Sequence, residues 1–306
     1  MTQIREITTG LQFPEGPIAM PDGSVILVEI KRGTLSRVTP NGKIEVVAET
    51  GGGPNGAAIG PDGAVYICND GGFEWHEIQG LLIPGNQGKD YSGGRIERVD
   101  LKTGKVDVLY TECDGHRLCG PNDLVFDKSG GMWFTDHGKG RDRDRDRTGI
   151  YYAKPDGSMI REMIFPIDAP NGIGLSPDEK TLYAVETWTG RLWAWNLPSP
   201  GKIAPGDQPF APGGGHLIVG VPGFQLFDSL AVDSAGNVCI ATIINGGITV
   251  VSPDGKNVDH VPLPDPLTTN ICFGGPDLKT AYATLSGTGK LVSFPWPRPG
   301  LRLNFC

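Results

Sequence analysis

The chain has 306 residues, 38% hydrophobic and 20% charged, a balance that supplies a sizeable core and excludes a disordered polymer. Its formal net charge of −8 leaves no surplus of Lys and Arg to neutralise phosphates, so a general nucleic-acid surface is excluded. No run approaches the roughly 18 apolar residues of a membrane-spanning helix, and the opening MTQIREITTG has no apolar leader core. A soluble, cytoplasmic protein is the expectation.

From the N-terminus onward, one pattern recurs: Pro with Glu or Asn, an apolar run, a Gly-containing turn, then a second apolar run. Its copies are FPEGPIAMPDGSVIL from Phe13, GPNGAAIGPDGAVYI from Gly53 and GPNDLVFDKSGGMWF from Gly120. APNGIGLSPDEKTLY from Ala169, QLFDSLAVDSAGNVCI from Gln225 and TTNICFGGPDLKTAY from Thr268 complete the set. A second strand pair follows each copy, as in GTLSRVTPNGKIEVVAE from Gly33 and GITVVSPDGKNVDHVPL from Gly247. Asn41-Gly42, Thr103-Gly104, Asp156-Gly157 and Asp254-Gly255 read as two-residue hairpin turns. The 46 Gly and 26 Pro are therefore turn residues of a repeat rather than low complexity. Six units of four antiparallel strands predict an all-β, six-bladed β-propeller. One domain over residues 1–306 is expected, closed where a strand near Ile4–Thr9 joins Lys290–Pro295 in the last blade. No helical period competes with this assignment.

Superposing the six copies yields a polar column: Glu15, Asn55, Asn122, Asn171, Asp228 and Asn270. The first strand of each blade lines a propeller's channel, so these residues are expected as a ring around the axis. Asn and Asp also bond their own backbone in turns, which is the simpler explanation. Two carboxylates on one axis repel, however, and a divalent cation would relieve them. An all-oxygen donor set without Cys or His suits Ca²⁺ first, with Mg²⁺ or Mn²⁺ as further choices. A second column, Glu29, Asn69, Asp136, Glu186, Thr242 and Leu285, closes the second strands and is expected on the rim of the same mouth. There Asp136 and Glu186 would accept hydrogen bonds from substrate hydroxyls. Asn55 and Asn270 are expected to support the ring from behind.

FPEGP, PNDLVFD, APNGIGLSPD, LYAVETWTGRLW, DSLAVD and TNICFGGPDLKTAY occur in that order along nearly the whole chain. Together they resemble the SMP-30/gluconolactonase/luciferin-regenerating-enzyme family. The resemblance implies a six-bladed propeller with one divalent ion in its channel, of identity Ca²⁺, Zn²⁺, Mn²⁺ or Fe²⁺ in different members. It implies Glu15, Asn171 and Asp228 as metal ligands, with Asn122 coordinating the ion or orienting the substrate. It also implies hydrolysis of a small-molecule lactone, most often a sugar lactone, or of another ester such as an organophosphate. Some animal members carry an Arg two residues before the Asn that matches Asn122; here that residue is Gly120. His116 or Arg117 of the same loop would then hold the substrate.

In the mechanism that follows, water attacks the lactone carbonyl and Asp228 either activates that water or serves only as a ligand. The longest insertion, Gly72–Gly93, carries Phe73, Trp75, His76 and Tyr91 and is expected as a lid or pocket wall, with an oligomer contact as the alternative. Trp75 would face substrate. The run from Arg141 to Arg147 alternates charge and reads as a self-paired loop. His137, beside Asp136, is a candidate auxiliary acid or base. Cys113 and Cys119 bracket a short loop and have the spacing for a disulfide, against the intracellular default of free thiols. A monomer or small homo-oligomer without nucleic-acid or membrane partners is expected. The reading from another class is a non-catalytic binding propeller that keeps a structural ion.

Overall fold

Residues 3–306 are described by a computed structural model. Six four-stranded antiparallel sheets are arranged radially as blades 1 to 6. The innermost strands, Pro14–Ala19, Pro54–Ile59, Pro121–Phe126, Pro170–Leu175, Leu226–Val232 and Thr268–Gly274, contact one another in a closed cycle around the axis. The N-terminal strand Arg5–Thr9 pairs with Lys290–Pro295 as the outer strand of blade 6, so the two ends of the chain close the ring. No helix is long and apolar enough to cross a membrane among the described residues.

The physical cause of the architecture lies in the second strands. Val25–Glu29, Val65–Asn69 and Met132–Asp136 are buried at every position. A strand covered on both faces needs apolar residues throughout rather than in alternation, and VILV, VYIC and MWF supply them. Side chains from adjacent blades mesh into clusters such as that of Tyr66, Phe126, Met132 and Phe134. Outer strands such as Val258–Pro262 have one side in solvent.

The tips of the outer hairpins differ from the two-residue turns expected. Thr39 N–H donates to Lys43 O, Asp100 N–H to Lys105 O, Lys154 N–H to Met159 O and Ser252 N–H to Asn257 O, so three or four residues form each loop. Only the glycine is left-handed, at φ 84° for Gly42 and 70° for Gly104. Asn41 and its equivalents stay at negative φ, which makes the longer loop the accessible solution.

Candidate functional site

All six residues of the first column come together at one end of the channel, each on an innermost strand. The strand register breaks at or beside each of them: between Glu15 and Ile18, Pro54 and Ala57, Pro121 and Leu124, Pro170 and Ile173, Phe227 and Leu230, and Thr268 and Asn270. An extra residue at such a bulge leaves the ladder and re-aims its side chain. Blades also approach closely here. A Cβ on Gly172 would lie 2.6 Å from Leu230 N, and one on Gly56 would lie 2.4 Å from Asn122 O. The glycine after the ring residue is thus demanded by the neighbouring inner strand.

In blade 3 that glycine position is Asp123, which the column alone had not singled out. Asp123 is buried; its Oδ1 accepts from Leu124 N–H at 2.9 Å and its Oδ2 from Ile173 N–H of blade 4 at 3.4 Å. The corresponding positions are Gly16, Gly56, Gly172, Ser229 and Ile271, so an acidic residue there was visible as an exception to the repeat.

Ring side chains are held by few bonds. Glu15 Oε2 accepts from Asn270 Nδ2 at 2.7 Å and from Gly16 N–H at 2.8 Å. Asn171 Nδ2 donates to Thr187 Oγ1 at 3.1 Å, and Ser229 Oγ reaches Asn171 Oδ1 at 3.5 Å. Asn55 Nδ2 donates to Asp70 Oδ2 at 3.3 Å. Asp70 in turn holds the buried Lys139 ammonium at 2.6 Å, which lies 3.3 Å from the centroid of Phe73. Asn122 Oδ1 is buried without a hydrogen-bond partner.

The electrostatics are those of crowded carboxylates out of water. Burial pushes Glu15 up to about 7. Burial and then the Glu15 charge push Asp123 up to about 8. Burial, Glu15 and Asp123 hold Asp228 well above the usual carboxylate range. Each group resists ionising beside the others, and a cation would reverse that. Among the described residues no three Asp, Glu, His or Cys side chains converge as a metal-holding cluster. A cation would therefore need amide oxygens as well as Glu15 and Asp228. The unpartnered Asn122 Oδ1 and the amide of Asn171 fit that requirement, and the set suits a hard ion.

The second column has a different role from the one expected. Glu29 Oε2 accepts from Gln12 N–H at 2.8 Å, and Asn69 Oδ1 from Gly53 N–H at 2.9 Å. Asp136 accepts from Cys119 and Gly120 N–H, both at 2.7 Å, and from Gly138 N–H. Glu186 accepts from Asp168 N–H at 3.2 Å and from Thr189 Oγ1. Each side chain buckles its strand to the loop that enters the same blade. Asp136 and Glu186 are buried with their oxygens engaged by their own chain, so they do not stand on the rim as acceptors for substrate hydroxyls.

The loop residues also redistribute. His116 and Arg117 are exposed in a short ladder opposite Cys113 and Glu112. Asp114 at its tip lines a groove with Ile160–Met163 of blade 3's outermost strand, which places this hairpin on the flank rather than over the channel. The expectation that His116 or Arg117 replaces the missing Arg is corrected accordingly. A side chain at Gly120 itself has no room, since its Cβ would lie 2.8 Å from Gly138 O. His137 is half-buried, with Nδ1 enclosed and unpartnered; burial, then Lys139 and Arg145, hold it down to about 4. The imidazole is held neutral by these surroundings. All six cysteines are free thiols, Cys113 and Cys119 included.

The insertion is a hairpin, Phe73–Ile78 with Leu81–Gln87, leaving blade 2. Gln87 N–H donates to Gly140 O of blade 3 at 2.9 Å, and Leu82 N–H to Gly287 O of blade 6 at 2.9 Å. Phe73, Trp75, Leu82 and Ile83 pack with Phe13, Ile30, Leu267 and Ile243 of blades 1, 6 and 5. A segment bonded to blade 3 at one end and to blade 6, its opposite in a ring of six, at the other lies across the mouth. Trp75 packs on Phe13 with centroids 5.2 Å apart. The charged run supports this hairpin: Arg141 pairs with Asp144 and Asp146, Asp142 accepts from Asn86 Nδ2, and Arg145 pairs with Asp168.

Comparison with known proteins agrees with this architecture. A gluconolactonase of Zymomonas mobilis is 26% identical over 299 residues, covering 89% of this chain and 76% of its own. A lactonase drp35 of Staphylococcus epidermidis is 30% identical over 257 residues, covering 83% of this chain and 70% of its own. Among solved structures, XC5397 of Xanthomonas campestris, described as a gluconolactonase, superposes with a TM-score of 0.75 at 23% identity, covering 97% of this chain and 90% of its own. A calcium-binding regucalcin of Agrobacterium tumefaciens gives 0.73 at 20% identity, covering 99% of this chain and 98% of its own, a likeness of fold. The sequence pattern described by SMP-30/Gluconolactonase/LRE-like region matches residues 13–287, and the chain belongs to that family.

Proposed function

We propose that the chain is a lactonase that opens its substrate with water at the channel mouth, assisted by one divalent cation, Ca²⁺ first among the candidates. The observation that carries this reading is the pair of buried, mutually repelling carboxylates Glu15 and Asp228, with Asp123 and the unpartnered Asn122 Oδ1 on an inner strand at the same end of the channel. Curated relatives named gluconolactonase and lactonase match most of the chain and support the reaction class. Glu15, Asn171, Asp228 and Asn122 would hold the ion. When bound it supplies charge stabilisation for the carbonyl oxygen and acidifies adjacent water.

The chain's own residues do the rest. Asn122 orients the substrate carbonyl. Asp228 accepts a proton as the water oxygen bonds to the carbonyl carbon, then returns it to the ring oxygen as the acyl–oxygen bond breaks, leaving a hydroxy acid. Asn270 fixes Glu15, Thr187 and Ser229 fix Asn171, and Asp70 with Lys139 fixes Asn55. The test is proton release from a panel of lactones and one organophosphate ester, on chelated protein with single ions restored. Ion-dependent lactone turnover is expected. Tight ion binding without turnover of any lactone or ester would instead mark a binding propeller.

A further inference from the structure

The hairpin from blade 2 and the loops of blades 4 and 5 bring large apolar side chains to the mouth end of the propeller. On the hairpin, Phe73, Trp75, Leu82 and Ile83 are half-buried and pack against Phe13, Ile30 and Leu267. Phe13, buried in the same cluster two residues before Glu15, has a left-handed backbone at φ 57°. A bulky side chain resists that conformation, which persists only where its surroundings impose it. The hairpin's hydrogen bonds go to blades 3 and 6, and the turn of blade 4 with the adjoining loops of blade 5 stands on another part of the same end. Val221 N–H donates to Gly190 O at 3.0 Å, and Asn245 Nδ2 reaches Gln225 Oε1 at 3.4 Å, so these loops form one arc. That arc carries Trp188, Phe224 and Ile244, which are 55%, 76% and 45% exposed. Trp188 directly follows Thr187, the residue that fixes Asn171.

Three large apolar side chains grouped in water beside a polar floor have the layout of a small-molecule site: apolar walls and a few convergent polar groups. The two carboxylates best placed for sugar hydroxyls, Asp136 and Glu186, are consumed by backbone and loop donors. From this geometry we infer that the hydrocarbon wall is a substrate subsite. The preferred substrate is a lactone bearing an alkyl chain on the ring carbon next to the ring oxygen, not a sugar lactone. The inference rests on the lactonase reading above. In that subsite the lactone ring sits over Asp228 and Asn122, and the chain runs out along Trp188, Phe224 and Ile244 of the arc toward Trp75 of the hairpin.

The test is kcat/KM for δ-lactones carrying chains of increasing length, with glucono-δ-lactone as the polar comparison. An increase of about two- to fourfold per methylene is expected until the chain passes the rim. The double variant Trp188→Ala, Phe224→Ala should flatten that slope, a readout independent of absolute rate. A flat slope in the unmodified protein, or preference for glucono-δ-lactone, overturns the inference and leaves the lactonase reading standing. If no lactone is turned over, that reading falls, and binding of alkyl δ-lactams followed by tryptophan fluorescence still decides the subsite. Affinity that rises with chain length, and no longer does so in the double variant, supports it; affinity independent of length overturns it.

Discussion

Removing divalent ions should make the protein's stability fall as pH rises through neutrality. Glu15 ionises at about 7 and Asp123 at about 8 in the folded chain, against 4.5 and 3.8 for the free groups. A carboxylate raised in this way binds its proton in the folded state after the unfolded chain has lost it, so stability drops until the folded group ionises. His137 works in the opposite direction, with a folded value of about 4 against 6.5, but most of its effect lies below pH 6.5 and only about 0.4 kcal/mol remains above it. The informative window therefore runs from pH 6.5 to 8. Across it Asp123 and Glu15 together contribute a loss of about 2–3 kcal/mol, at about 1.4 kcal/mol per pH unit for a group protonated only in the folded state. At about 2 °C per kcal/mol for a chain of this size, Tm should fall by roughly 5 °C. Scanning calorimetry of chelated protein at pH 6.5, 7.2 and 8 measures it, and saturating Ca²⁺ should abolish the fall. A Tm that is flat or rising with pH after chelation would refute the crowded-carboxylate argument. The same slope with and without ion would refute cation binding at these groups.

Further substitutions separate the chemistry from the scaffold. Asp228→Asn should lower kcat by about 10²-fold or more, on the general-base estimate, while isothermal titration still detects ion binding; near-normal kcat would remove its role as base. Asp136→Ala leaves three buried N–H groups unpaired, and chemical denaturation should show a loss of about 3 kcal/mol or more. Lys139→Met strands the buried Asp70 charge and should cost about 3–5 kcal/mol, whereas the added exchange Asp70→Asn should restore part of it in a double-mutant cycle. Gly172→Ala places a methyl 2.6 Å from Leu230 N and should destabilise by about 1–3 kcal/mol through overpacking, again read by denaturation.

Much of the architecture was legible because a repeat converts one local pattern into a global one. Six copies of strand, turn and strand gave six blades, and the matched termini gave the closure. The ring was legible for the same reason, since positions equivalent in sequence become equivalent about an axis. Asp123 stood in plain view but one residue off the column, because a register break displays two successive residues at the mouth rather than one.

The remaining features depended on which groups meet across the fold. Asp136 and Glu186 carry the side chains that a sugar site would use, and a strand end reads as exposed in a sequence. Whether a carboxylate there meets water or an N–H is set by the path of the incoming loop, and here Cys119, Gly120 and Asp168 arrive first. The hairpin from blade 2 was recognisable as an insertion, but its reach to Gly140 and Gly287 depends on blades far apart in the chain. His116 and Arg117 adjoin the ring strand in sequence yet fold onto the flank, because Cys113 is buried in the core between blades 2 and 3. The sequence by itself determined the propeller and its ring of oxygens, both products of local periodicity and symmetry. Tertiary structure alone decided which polar groups remain free to meet a substrate, because hydrogen-bond partners distant in the chain are assigned only when the blades close.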